Sequence, residues 1–356
     1  MNLILLFVGI GACLTLLNSV SMRVVRRKKS SLITETVSVL IPMRDEAANV
    51  DGVIDSIQSS TNLSQWNLTV LDDASSDDTG AKLQELYVKA ISGNPLPEGW
   101  LGKNWACWQL ANSSDGTYLV FIDADVRVFP EAISSSITLM NQLEWDFISP
   151  YPRQIAKSFL ERLIQPLLQW SWLASVPLRL AQRFRISSMT IANGQFFIVK
   201  RSAYFSVGGH ESIKTEVLDD LRLARTLIDA GFKGGVAEGS DVVECRMYDN
   251  SSELINGYTK SLWNAFGGLL GTLFTIVLIF TTQVLPVILG LSGFALGWLA
   301  FMLSAFTHAV AAARTKSSTA NIFLHPIASV FLILLILESL RRKKQGKLVW
   351  RERNLP

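Results

Sequence analysis

Two aspartates, Asp123 and Asp125, close the apolar run at residues 118–122. A buried strand that ends in carboxylates delivers charge to a cleft at its C-terminal tip. At i and i+2 of an extended segment the two side chains share a face, so both can address one divalent cation, or a ribose and its metal. That chemistry suits a nucleotide diphosphate. A second acidic tip, Asp72-Asp73, follows the apolar stretch 68–71, where turn and helix-cap chemistry is the plain alternative. A third pair, Asp219-Asp220, opens a helical pattern, and acids there also simply complement a helix N-terminus. Lys103 stands near a helix start at about residue 104. Its ammonium and the positive end of the helix can together hold a phosphate, or it is a solvated lysine beside Trp100, Trp105 and Trp108.

The elements that must position these groups repeat one design. Residues 37–41 read as a strand that Pro42 terminates, followed by a polar loop with Arg44 and Glu46. A helix at 47–59 then places Val50, Val53, Ile54 and Ile57 on one stripe. The strand at 68–72 and a helix from Thr79 repeat it, and 118–122 is the third strand. Successive strand-helix units imply an α/β fold, a Rossmann-like and mostly parallel sheet with its ligand at the strand C-termini. Residues 191–200 read as a loop entering another strand. Gly208-Gly-His210 reads as a tight loop, with His210 an ordinary loop histidine.

Composition separates this chain from a purely soluble enzyme: 49% of its 356 residues are hydrophobic and its mean hydropathy is +0.29. An apolar segment over 1–21 reads as an uncleaved membrane anchor, and the near-uncharged stretch 266–340 as further transmembrane helices. Basic clusters follow at 23–29 and 341–347, with the second inside a basic tail, 341–356. Anionic lipid headgroups explain them better than nucleic acid, so a lipid bilayer is the expected partner and no nucleic acid. The first cluster puts the domain at 36–265 in the cytoplasm, beneath an inner or plasma membrane. The four Asn-x-Ser/Thr matches are then chance. Residues 158–185 suit an interfacial helix or an ordinary core helix equally. Three spans after the domain leave the second cluster outside, against the positive-inside tendency; either one apolar segment is re-entrant or the tendency fails here. Three scattered cysteines imply no disulfide framework and no zinc site.

The ordered set 37–46, 71–79, Asp123-Ala-Asp125 and Asp219-Asp220-Leu-x-Leu resembles the family 2 glycosyltransferases of the GT-A fold, over about residues 36–265. The motifs 97–106, Asn193-Gly-Gln-Phe196 and Gly208-Gly-His210 resemble the membrane-bound carotenoid glycosyltransferases, of diaponeurosporenoate and chlorobactene type, and hopanoid-associated relatives. The resemblance implies that Pro42, Arg44 and Glu46 line the nucleotide and that Asp72 or Asp73 binds its base. It implies that Asp123 meets ribose or metal, Asp125 holds Mg²⁺ or Mn²⁺, and Asp220 is the catalytic base, with Asp219 where Glu is more usual. The implied reaction is inverting transfer from a nucleotide-sugar donor, a UDP-sugar favoured, to a lipophilic membrane acceptor such as a carotenoid-like terpenoid. A hopanoid, sphingoid lipid, glycerolipid or polyprenyl phosphate is the alternative acceptor. A nucleotidyltransferase, or a non-catalytic membrane protein that binds nucleotide sugars, is the alternative reading. Thr259 and Leu262 stand where processive membrane members carry Gln and Arg, which disfavours polymer synthesis.

Overall fold

The computed structural model describes residues 2–350 and 353–354; Pro356, the end of the expected basic tail, lies outside them. The chain forms two compact units. Residues 23–153 and 180–246 make one, and residues 2–22, 154–179 and 247 onward the other. The first unit thus begins earlier than the expected 36–265 domain, leaves out 154–179 and ends at Arg246.

The chain opens with helix α1 (Asn2–Ser21). The first unit then runs β1 (Ile33–Met43), α2 (Val50–Gln58), β2 (Leu63–Asp72), α3 (Thr79–Glu85), β3 (Ala90–Ser92), α4 (Gly102–Asn112), β4 (Tyr118–Ile122) and β5 (Val126–Val128). After α5 (Ala132–Gln142), β6 (Phe147–Tyr151) and β7 (Arg153–Gln154), the chain passes through α6 (Phe159–Ser175) and α7 (Leu178–Phe184). It closes the unit with β8 (Phe196–Lys200), α8 (Arg201–Ser206), α9 (Asp219–Asp229), β9 (Gly234–Glu238) and β10 (Val243–Cys245).

Seven strands form one sheet in the order β3-β2-β1-β4-β8-β6-β9. All its pairings are parallel except those of β8, which runs against both neighbours. The mostly parallel α/β sheet expected from the sequence is therefore present. Apolar residues fill it from both faces: every residue of β4, β6 and β9 is buried, as a sheet covered on both sides requires. The order reverses between β1 and β4, and a crevice opens at such a switch point beyond the strand C-termini. Register brings the tips together there, Met43 opposite Asp72 and Ile122 opposite Phe196.

Three local expectations change. Strand β1 does not stop at Pro42 but runs to Met43, with Pro42 opposite Leu71 of β2. The pairing with β4 has already ended at Leu40, so the missing N–H of Pro42 breaks no ladder on that side. Residues 158–185 are not one helix: Val176 is extended (φ −116°, ψ 124°) ahead of Pro177, which disfavours helix in the residue before it. Residues 23–25 are not free for lipid alone. Val24 bridges to Glu238 at the β9 edge, and the Arg27 guanidinium lies 3.6 Å over the Phe129 ring.

The second unit gathers α1 and α6 with α10 (Ser251–Ser261), α11 (Leu269–Ile279), a π-turn at 280–284, α12 (Leu285–Leu291), α13 (Ala295–Thr315) and α14 (His325–Lys344). Among the described residues four helices are long and apolar enough to cross a membrane: Asn2–Ser21, Leu269–Leu291, Ala295–Thr315 and Ile322–Lys344. Helix α6 belongs to this unit. Its Trp170 Nε1 donates to Thr307 Oγ1 at 2.8 Å, and Asn18 of α1 donates to the carbonyls of Leu173 and Val176.

The pairing of β6 with β9 demands glycine at its start. A Cβ on Gly234 would fall on the Phe147 carbonyl oxygen, which is fixed backbone. Gly234→Ala is expected to destabilise the sheet unit by roughly 1–3 kcal/mol, seen as a lower thermal midpoint of the purified protein, whereas Gly9→Ala, with nothing within 4 Å, leaves the midpoint in place.

Candidate active site

The acids expected at the strand ends meet at one edge of the sheet. Asp123 follows β4 directly, but Asp125 is not in extended chain: Ala124 and Asp125 form a turn before β5, closed by Val126 N–H donating to the Asp123 carbonyl at 3.1 Å. The shared face argued from i and i+2 therefore does not exist. A turn brings the two carboxylates into electrostatic contact instead, because charge cannot continue into the sheet interior.

Asp125 is enclosed. Its Oδ1 is buried without a hydrogen-bond partner, and its carboxyl is pushed up to about 7 by burial and by Asp123 and Glu46 nearby, against a hydrogen bond with the Cys245 thiol. The turn is braced by Arg127, whose Nη1 donates to the carbonyls of Ala124 (2.9 Å) and Val126 (2.8 Å). Room for that guanidinium comes from Gly52, where a Cβ would collide with it. Neither Arg127, Gly52 nor Cys245 was expected at the site; a lone glycine inside the α2 pattern was the available signal.

Lys103, in the first turn of α4, does not stand as a free phosphate cation. Its Nζ lies 2.8 Å from Asp123 Oδ1, 2.9 Å from Asp123 Oδ2 and 3.9 Å from Asp219 Oδ2. Burial alone would lower its pKa, but Asp123 and Asp219 hold it well above the usual lysine value, so the ammonium stays charged.

On the facing side, Asp220 sits at the start of α9. Its Oδ2 accepts the Gly194 N–H at 2.6 Å and its Oδ1 the Leu221 N–H at 2.7 Å. Burial, then Asp219, raise its pKa to about 6, against the lowering effect of Lys103 and these two N–H groups. Gly194 leaves little room for a side chain: a Cβ would lie 3.1 Å from Asp220 Cβ and 3.4 Å from Lys103 Nζ, so either neighbour would have to give way. The Asn193-Gly-Gln-Phe196 motif is thus a close backbone approach to both groups.

His210 is no loose loop histidine. It is 3% exposed, and its Nδ1 and the Tyr204 hydroxyl are 2.8 Å apart while its Nε2 lies 3.9 Å from Asp219 Oδ2. Burial lowers it to about 4, against Asp219, so it is neutral at pH 7. Gly208, in left-handed conformation at φ 77°, begins the short 3-10 turn that seats it.

Pro42, Lys103, Asp123, Gly194, Asp219 and Asp220 line one open cleft, floored by Phe121 and Phe197. The other expected residues lie on neighbouring loops. Arg44 Nη1 donates to the Asp73 carbonyl at 2.7 Å, Glu46 accepts from Asn49, and its N–H donates to Thr79 Oγ1 at 2.8 Å. Asp72 Oδ1 accepts the Ser75 N–H at 3.0 Å, the turn chemistry that was its plain alternative. These bonds lock the loops after β1 and β2 to each other. Among the described residues no three His, Cys, Asp or Glu side chains converge as a ready metal cage. The orphaned Oδ1 of Asp125 fits a cation nevertheless, since Mg²⁺ and similar ions commonly take one or two carboxylates and complete their shell with phosphate and water.

The sequence compares accordingly. Residues 38–207 match the model for "Glycosyl transferase family 2", which stops short of Asp219 and Asp220. A 4,4'-diaponeurosporenoate glycosyltransferase of Staphylococcus haemolyticus is 23% identical over 241 residues, 66% of this chain and 63% of the relative's length. Its counterpart from Staphylococcus aureus is 22% identical over 340 residues, 90% of this chain and 88% of that one. Among solved structures, the mannosyltransferase PcManGT of Pyrobaculum calidifontis, in complex with GDP-Man and Mn²⁺, shares the fold with a TM-score of 0.52 at 15% identity, over 95% of this chain and 99% of that one. A sheet reversed between β1 and β4 with acids at its tips, a family model over residues 38–207, and relatives matching along the chain converge: the chain carries a sheet domain of GT-A fold that resembles the glycosyltransferases of family 2 and is similar to the carotenoid-type enzymes.

Proposed function

We propose that the chain transfers a sugar, with inversion, from a nucleotide-sugar donor to a lipophilic acceptor embedded in the membrane, a carotenoid-like terpenoid. The observation that carries this reading is the cleft itself, in which an enclosed carboxylate, Asp220, faces the Lys103–Asp123 pair across Gly194. The names of the curated relatives support the acceptor class, and the four apolar helices support a membrane location. We favour a UDP-sugar as donor and read the catalytic unit as cytoplasmic, where nucleotide sugars are made.

The residues divide the work as follows. Pro42, Arg44, Glu46 and either Asp72 or Asp73 shape the nucleotide side, with Asp123 toward the ribose. A divalent ion, Mg²⁺ or Mn²⁺, held by Asp125 with Asp123, would offset charge on the departing diphosphate; the solved mannosyltransferase is in complex with GDP-Man and Mn²⁺. Lys103 adds a fixed positive charge on the same side. Asp220 takes the proton from an acceptor hydroxyl as its oxygen attacks the anomeric carbon from the face opposite the diphosphate, which inverts that centre. Asp219 is one methylene shorter than glutamate, and His210 and Lys103 flank it on either side, so it orients Asp220 and the acceptor and is not itself the base.

Five outcomes test this. Asp220→Asn should lower turnover of a hydroxylated acceptor by roughly 10²–10⁴-fold while donor affinity is kept; full activity would remove Asp220 as the base. With such an acceptor, wild-type turnover should rise as pH climbs through about 6, since the carboxyl must be ionised to work. Asp219→Asn removes a neighbouring negative charge, so that limb should move to lower pH. A carboxylated acceptor is already ionised and should show no such limb. Asp125→Asn should weaken Mn²⁺-dependent binding of the nucleoside diphosphate in titration calorimetry, a readout independent of turnover.

A further inference from the structure

The second basic cluster, against the charge rule if three spans follow the catalytic unit, is placed by contacts within the helical unit. Trp263 stands just ahead of α11. Its backbone N–H donates to Ser339 Oγ at 2.9 Å, and that hydroxyl donates to the Thr259 carbonyl. Lys343 Nζ lies 4.2 Å over the Trp263 ring, and Arg342 Nη1 donates to Asn256 Oδ1 at 2.9 Å. The chain therefore enters its last apolar region and leaves it at one level, and it must cross an even number of times between.

The path between shows how. Residues 269–291 rise and α13 descends beside them. A Cβ on Gly297 would meet Gly290 N and the Pro286 carbonyl, and Ser304 Oγ donates to Gln283 Oε1 at 2.6 Å. Helix α13 ends at Thr315, yet the next helix begins far back along it. The His325 ring packs 5.0 Å from both His308 and Phe301, and Phe323 packs 6.4 Å from Phe301. Thr315 lies fourteen helical steps beyond Phe301, about 21 Å at 1.5 Å per residue. Residues 316–324 thus climb back alongside α13, and α14 descends antiparallel to α11, with Leu335 and Ile336 in one cluster with Ile276 and Ile279. Irregular backbone at membrane depth persists only against protein or water. The return segment has polar partners on its path, since Thr315 Oγ1 donates to Gln169 Oε1 at 2.9 Å and Ser317 Oγ donates to the same oxygen.

We propose that residues 316–344 form a re-entrant hairpin, with α13 and α14 running in the same direction, so that Arg341–Lys347 lie on the same side of the membrane as the catalytic unit. This rests on the membrane reading above. It replaces the expectation of an external cluster and removes the conflict with the positive-inside tendency.

Single cysteines in the full-length chain test it. Cys13, the exposed native cysteine, is replaced by alanine, while Cys107 and Cys245 are buried and stay. Ser31→Cys, Ser292→Cys and Lys347→Cys are then labelled with a membrane-impermeant maleimide in intact and in permeabilised cells. Ser292→Cys, between α12 and α13, is expected to label in intact cells, and Ser31→Cys and Lys347→Cys only after permeabilisation. Labelling of both Ser292→Cys and Lys347→Cys in intact cells, with Ser31→Cys protected, would overturn the hairpin and restore three crossings. Labelling of Ser31→Cys in intact cells, or release of the protein by carbonate washing, would instead overturn the underlying membrane reading.

Discussion

One ammonium holds the catalytic edge together. Asp123, Asp125, Asp219 and Asp220 arrive from two stretches of chain almost a hundred residues apart, and burying several carboxylates at one sheet edge is unfavourable unless cations lie among them. Lys103 meets that demand from the first turn of α4, in ion-pair distance of Asp123 and of Asp219 at once. Position of the helix is therefore as important as the charge. Asn104 Nδ2, 1% exposed, donates to the carbonyls of Ile213, Lys214 and Glu216, tying the start of α4 to the loop that leads into α9. Asp123 and the Asp219–Asp220 pair are thus set relative to each other through one helix terminus.

What Lys103 does not neutralise is informative. Asp125 keeps an unpartnered buried oxygen and a carboxyl raised to about 7, even with the Cys245 thiol and the braced Arg127 close by. A group of that kind suits the cation proposed for it, and the cost of burying it is met elsewhere in the fold by the apolar strands that hold the turn in place. Function is built at the point where the sheet's own stability argument fails, since a packed strand end would carry no charge there.

The sequence made the sheet and the acids legible for different reasons. Strand β4 announces itself as an unbroken apolar run, and β1 and β2 turn apolar toward their C-terminal ends, at 39–43 and 70–71, where the sheet is covered on both faces. The acids stand out as the charges that interrupt those runs. What stayed hidden depends on distant partners. Asp125 is shielded by Cys245, 120 positions away in β10; Asp220 is seated by the backbone of Gly194; His210 is made neutral by its burial, with Lys103 acting in the same direction. No local pattern encodes such pairings. The DxD spacing even suggested the wrong local geometry, since alternation along a strand applies only where the strand continues. In the helical unit, length and apolarity revealed four candidate spans but could not reveal direction, because a return segment of nine residues reads in one dimension as an ordinary loop between two spans.

The electrostatics of Asp220 follow from two opposed requirements. To stay ionised it needs donors, and the N–H groups of Gly194 and Leu221 provide them at the N-terminus of α9, where the helix dipole also favours negative charge. To be basic enough to take a proton it must be penalised for that charge, which burial and Asp219 accomplish. Either influence alone would be counterproductive: a carboxylate with donors and open solvent is a weak base, and one merely buried beside a second acid would be protonated at neutral pH. The balance leaves a carboxyl at about 6, a value that suits the proton transfer proposed for Asp220. Gly194 is where that balance is most exposed, because its N–H supports the carboxylate while its missing side chain leaves the space that Asp220 and Lys103 share.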